Sequence, residues 1–70
     1  MEYAHQHAHD RMRQRGVTEA DIESVLDTQL GPHRPGRQRG HIVRQGFDTS
    51  GRLLDVVFTE YGEVVTVFRP

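Results

Sequence analysis

Apolar residues at four-residue spacing mark the start of the chain as helical. Ala4, Ala8 and Met12 recur at this interval in a stretch without proline or internal glycine, and residues four apart lie on one face of a helix. Gly16 follows as a residue suited to the turn that ends a helix. The pattern therefore predicts a first helix over residues 3–15.

A complete helix start signal comes next. Thr18 is followed three residues later by Asp21, the spacing of a capping box. The pair Gly31-Pro32 then prevents the helix from continuing. We predict a second helix over residues 19–29. The apolar residues of its buried face are Ile22, Val25 and Leu26.

The rest of the chain consists of short runs rich in apolar residues and separated by turn residues, which is typical of antiparallel strands. The predicted strands span residues 41–47, 52–59 and 63–69. Residues 31–40, rich in glycine, proline and arginine, are predicted to form an exposed loop. The order of elements predicts an α+β fold in which two N-terminal helices pack on a three-stranded antiparallel meander.

Both faces of this predicted sheet carry apolar side chains. In the second strand Leu54, Val56 and Phe58 point one way, while Leu53 and Val57 point the other. Two helices on one side would leave the second face uncovered. We therefore expect a homodimer that covers it.

Length and composition indicate one small domain, residues 1–70, with a thin core. There is no cysteine to form a disulfide or a thiolate metal site. No apolar run approaches the roughly 20 residues that cross a bilayer, and the first residues do not resemble a signal peptide. We expect a cytoplasmic protein with no membrane partner.

The net charge of −1 conceals an uneven distribution. Residues 1–30 carry three arginines against six acids, and residues 48–70 carry two against four. Residues 31–47 carry four arginines and no acid. A cluster of arginines between glycines and prolines is typical of a phosphate-contacting segment, although charge runs are more often solvated surface.

Three histidines at alternate positions form a first candidate site. On a helix His5 and His9 share a face at a spacing that can hold zinc, but two imidazoles without a third ligand make a weak site. A solvated helix face is the simpler interpretation. We therefore predict no metal and no cofactor.

His7 and Arg11, one helical turn apart, supply ingredients of metal-free RNA cleavage. That reaction needs a base for the ribose 2′-hydroxyl, an acid for the leaving oxygen and cations for the phosphorane. Histidine can serve in either proton role near neutral pH. A structural interpretation is equally simple: His7 is a helix-edge residue, and Arg11 neutralises the acidic second helix.

The string from His7 to Thr18, His-Ala-His-Asp-Arg-Met-Arg-Gln-Arg-Gly-Val-Thr, resembles the opening of the bacterial domain-of-unknown-function 4258 family. The signature of that family reads His-Ala, two variable residues, Arg-Met, two more, then Arg-Gly. The closing strands are also similar, so the resemblance covers about residues 5–69. The layout is similar to ribonuclease toxins of the RelE and barnase/colicin-like groups, although no strand is predicted before the first helix here.

The resemblance implies roles for individual residues, to which we add the arginines of the basic segment. The predicted catalytic residues are His7, Arg11 and Thr66. The predicted phosphate-binding residues are Arg15, Arg37, Arg39 and Arg44.

Our leading hypothesis is a metal-independent ribonuclease or ribonuclease-toxin-like domain that cleaves RNA by attack of the 2′-hydroxyl. If it is a toxin, an antitoxin or immunity protein is its expected neutralising partner. The alternative hypothesis is a non-catalytic module that binds protein or nucleic acid. That module would act through the second sheet face and the arginine loop.

Overall fold

The computed structural model describes all 70 residues and has an α+β fold. Two helices precede a four-stranded antiparallel sheet whose strands lie side by side in chain order. The elements are α1 (Gln6–Gln14), α2 (Glu19–Asp27), β1 (Arg34–Pro35), β2 (His41–Phe47), β3 (Leu53–Thr59) and β4 (Val64–Phe68). No helix is long and apolar enough to cross a membrane.

The first helix begins later than its apolar spacing predicts, because the residues before it are used by the sheet. The amide of Ala4 donates to the carbonyl of Val64 at 2.8 Å, and the amide of Val64 donates to the carbonyl of Glu2 at 2.9 Å. Tyr3 thereby forms a single parallel bridge with β4. The N-terminus thus extends the sheet by one bridge, where no strand was predicted.

The start of α2 confirms the capping box. The Thr18 hydroxyl accepts from the Asp21 amide, and the Asp21 carboxylate accepts from the Thr18 amide at 2.9 Å. The prediction that Leu26 is buried was wrong, since it is 43% exposed. The helix packs on β2 where Gly46 admits the backbone of Val25, and Leu26, one position further on, lies outside this contact.

The predicted meander is present as β2, β3 and β4, but the prediction of three strands was wrong. Arg34 and Pro35 pair with Val43 and Ile42 of β2 and add a fourth strand. The two strands form the β1–β2 hairpin (residues 34–43), so part of the segment predicted as an open loop is a sheet edge. Gly40 lies in its turn with a φ of 84°, a conformation that glycine adopts without strain.

A β-bulge between β3 and β4 interrupts the alternation of the β4 side chains between the two faces of the sheet. Phe58 pairs with Val64, whereas its neighbour Val57 pairs with Thr66, so Val65 is the extra residue. Val64 and Val67 are therefore both in the main core, although alternation from Val64 would place Val67 on the opposite face.

The helices cover one face of the sheet, which we call the helix-covered face. Its buried core combines residues of both helices with those of β3 and β4: Ala8, Met12, Val17, Ile22, Val25, Leu54, Val56, Phe58, Val64 and Val67. The opposite, helix-free face carries a second small cluster, as the apolar residues on both faces predicted. Its buried members are Val43, Val57 and Val65.

Candidate functional site

A cleft of about 730 Å³ lies on the helix-free face. The valine cluster of that face, Val43, Val57 and Val65, forms its floor. The β1–β2 hairpin contributes one wall, and residues 4–5 contribute to the lining from before α1. The polar residues that line the cleft are His5, Arg34, Arg37, Gln38, His41 and Thr66.

Strand alternation aims the hairpin residues at the cleft. Residues paired across neighbouring strands share a face, and Arg34 pairs with Val43, which pairs with Val57. His41 lies two positions before Val43 and therefore points to the same side. Gly36 lets the two arms approach, because a Cβ atom there would lie 2.9 Å from the Cβ of His41.

Thr66 reaches the cleft because of the bulge. It pairs with Val57 on the helix-free face. Without the bulge, strict alternation from the buried Val64 through Val65 would turn Thr66 toward the helices. The bulge therefore places the hydroxyl of β4 opposite the cationic hairpin.

The N-terminal part of the cleft is anchored by Tyr3. Its hydroxyl donates to the Glu19 carboxylate at 2.5 Å, and its ring lies 4.0 Å from the ring of His9. Burial, together with the hydrogen bond and the negative charge of Glu19, raises the pKa of Tyr3 to about 12. The hydroxyl therefore stays protonated and continues to donate to Glu19 well above neutral pH.

The predicted catalytic residues do not meet in this cleft. Thr66 lines it, but His7 and Arg11 do not. The His7 side chain is 83% exposed, with Nδ1 3.9 Å from the Asp10 carboxylate, and Arg11 donates to Gln14 at 3.0 Å along the same helix. The nearest link is ring packing, since the His7 ring lies 5.5 Å from that of His5.

Of the arginines predicted to bind phosphate, Arg37 lines the cleft. Arg39 lies exposed in the hairpin turn, and Arg15 lies exposed at the end of α1. Arg44 pairs with the core residue Val56 and so points to the helix-covered face, where it donates to Gln29 at 2.9 Å. The four arginines are therefore distributed around the domain.

Sequence reasoning missed His41, Arg34 and Gln38, and it considered His5 only as a zinc ligand. The available signal was strand alternation: His41 and Val43 are two apart at the start of a predicted strand. Because residues 31–40 were predicted as an open loop, the strand that pairs with β2 was missed. The structure gathers no group of three or more His, Cys, Asp or Glu side chains suited to a metal ion.

Residues 5–69 match the model of the protein family described as Domain of unknown function (DUF4258). Because the match covers nearly the whole chain, the chain belongs to this family, as the resemblance predicted. Neither the curated proteins nor the solved structures provide a match.

Proposed function

We propose that this chain is a metal-independent endoribonuclease that binds RNA in the cleft of the helix-free face. The observation that carries the proposal is the set of groups lining one cleft: the two imidazoles of His5 and His41, the guanidinium groups of Arg34 and Arg37, and the Thr66 hydroxyl.

The reaction would use the two imidazoles in complementary proton states. One neutral imidazole takes the proton of a ribose 2′-hydroxyl, and the 2′-oxygen forms a bond to the adjacent phosphorus. The bond from phosphorus to the 5′-oxygen breaks as the other, protonated imidazole donates its proton to that oxygen. The products are a 2′,3′-cyclic phosphate and a 5′-hydroxyl.

The other cleft residues would bind the substrate and stabilise its developing charge. Arginine matches the geometry of phosphate oxygens and stays charged at every relevant pH. Arg34 and Arg37 would therefore stabilise the phosphorane. The valine floor offers an apolar surface to a ribose or base, and Gln38 offers both a hydrogen-bond donor and an acceptor.

The test is cleavage of an RNA oligonucleotide by the purified protein in EDTA. We expect a product ending in a 2′,3′-cyclic phosphate. We also expect His41→Ala and His5→Ala each to lower the rate about 100-fold or more, the usual contribution of a general acid or base. His33→Ala is the matched control, because His33 is an exposed histidine outside the cleft, and it should leave the rate unchanged.

The same assay distinguishes the cleft residues from those implied by the family motif. A loss of activity in His7→Ala and Arg11→Ala, with His5→Ala and His41→Ala still active, would show that the catalytic residues lie on α1. RNA that stays intact with folded wild-type protein, in both EDTA and magnesium, would refute the enzyme proposal.

A second candidate function is a non-catalytic binding module. Phe47 and Leu53 pair with each other across β2 and β3, lie on the helix-free face and are exposed. An exposed apolar pair on the same face as a cationic cleft would suit a protein partner or a second copy of this chain. This module would show salt-sensitive RNA binding without cleavage, or a dimer mass in sedimentation that Leu53→Gln returns to the monomer value.

A further inference from the structure

Asp55 is a buried carboxylate on the helix-free face. It lies in β3 between Gln45 and Phe68 on the neighbouring strands, and its side chain is 1% exposed. Its Oδ2 accepts from the Arg34 guanidinium at 3.0 Å, while its Oδ1 is buried without a hydrogen-bond partner. A buried carboxylate is costly, and this one is balanced by a single ion pair.

Arg34 connects Asp55 to the least anchored part of the sheet. It belongs to the two-residue strand β1, whose other member, Pro35, has no amide hydrogen to donate. The Arg34 side chain extends across β2 to reach β3, and it remains 53% exposed where it lines the cleft. The ion pair therefore adds a side-chain link from β1 to β3 at the centre of the sheet, besides the backbone pairing of β1 with β2.

We propose that Asp55 is a positioning residue that holds the β1–β2 hairpin against the helix-free face through Arg34 and thereby strengthens phosphate binding in the cleft. The claim about phosphate binding rests on the proposed function, whereas the claim that Asp55 holds the hairpin concerns the fold alone. Arg37 and Gln38 belong to the same hairpin, so their place in the cleft depends on this link.

Positioning and simple electrostatics predict opposite effects of removing the Asp55 charge. If charge alone mattered, the loss of a carboxylate beside an anion site would tighten RNA binding, because the cleft would become more positive. If Asp55 positions the hairpin, its loss weakens binding, because the arginines must be ordered again each time RNA binds.

The test uses Asp55→Val, which replaces the carboxylate with an apolar side chain of similar size suited to a strand. Replacing a buried ion-paired group with a well-packed apolar one is often neutral or stabilising, so we expect the melting temperature to be maintained. Hydrogen exchange then reports on the hairpin through the amides of Gly36 and His41, which bond to His41 and Gln38 within it.

We expect these two amides to exchange about 5-fold faster in Asp55→Val, the equivalent of losing about 1 kcal/mol of ion pairing, while the amides of β3 keep their protection. The dissociation constant for an RNA oligonucleotide should rise about 3- to 10-fold, the effect of ordering one or two arginine side chains on binding. Glu60→Gln is the charge control, because it removes one acidic charge from an exposed turn. It should change neither quantity.

Unchanged exchange of the hairpin amides in Asp55→Val would overturn the inference. Faster exchange with equal or tighter RNA binding would overturn the claim about phosphate binding and show that the charge effect dominates. If wild-type protein binds no RNA, the proposed function and the claim about phosphate binding fail together. The exchange experiment still decides whether Asp55 holds the hairpin. Should Asp55→Val not fold, Arg34→Gln removes the same ion pair from the exposed side and is expected to loosen the same two amides.

Discussion

Asp21→Asn tests how a single carboxylate joins the two halves of the fold. One oxygen of Asp21 accepts from the amide and hydroxyl of Thr18 at 2.9 and 3.1 Å, which caps α2. The other accepts from the amide and hydroxyl of Thr49 at 3.0 and 2.6 Å, in the turn between β2 and β3. A side-chain amide has one acceptor oxygen, so Asp21→Asn can keep the hydrogen bonds to only one of the two threonines.

The pKa of Asp21 indicates the size of the effect. Burial by itself raises that pKa, but the hydrogen bonds from Thr49 and Thr18 outweigh it and lower the pKa to about 2 from the ordinary value of 3.8. At about 1.36 kcal/mol per pKa unit, the ionised form contributes roughly 2 kcal/mol to stability. Since the folded pKa is the lower one, this stabilisation is present above about pH 4 and is lost as the pH falls toward 2.

The assay is urea unfolding followed by circular dichroism at pH 7, 5 and 3. We expect Asp21→Asn to lower the free energy of unfolding by about 2 kcal/mol at pH 7 and to lose less stability than wild type between pH 5 and 3. Asp10→Asn is the matched control, because Asp10 is a more exposed carboxylate paired with Arg13 on the surface of α1. It should cost under about 1 kcal/mol.

A variant with the same pH slope as wild type, or one that costs no more than the Asp10 control, would refute this reasoning. In either case the carboxylate would not be what holds the turn to the helix. The cap hydroxyl of Thr18 would then have to supply the stability by itself.

Two further substitutions test the packing of α2 and the end of the sheet. Gly46→Ala should lower stability by about 3 kcal/mol in the same unfolding assay, because its Cβ would lie 2.6 Å from the carbonyl oxygen of Val25 and push α2 away from β2; an effect under about 1 kcal/mol would contradict this contact. The pKa of Asp48 is lowered first by the backbone N–H of Arg52 and further by Arg69, which donates to it at 2.8 Å. Arg69→Met should therefore raise that pKa without returning it to its ordinary value, measurable by NMR titration of the carboxyl carbon, and an unchanged pKa would contradict the ion pair.

The parts of the fold that sequence reasoning predicted are those determined by neighbouring residues. The capping box of α2 needs only Thr18 and Asp21, three positions apart, and both hydrogen bonds form as expected. The strands β2 and β3 follow from short runs that contain apolar residues and are bounded by turn residues. In these segments local preference and tertiary packing favour the same structure.

The features that were missed depend on contacts between distant residues. Nothing within Arg34-Pro35 marks a strand, because a two-residue element is defined by the partner strand that receives it. The bulge at Val65 is likewise a matter of register between β3 and β4. Both features decide which side chains line the cleft, and the candidate site was consequently less predictable than the fold.

Both polar walls of the cleft are expected to open locally, which links the proposed activity to the dynamics of the domain. Each wall is tied down by a side-chain contact, Tyr3 to Glu19 on the N-terminal side and Arg34 to Asp55 on the hairpin side. The walls are only partly buried against the main core, through Tyr3 and Ile42, so each should open at a lower free energy than global unfolding. A ligand that contacts both walls would stabilise both closed forms, and its binding should slow amide exchange at Ala4 and Gly36 together.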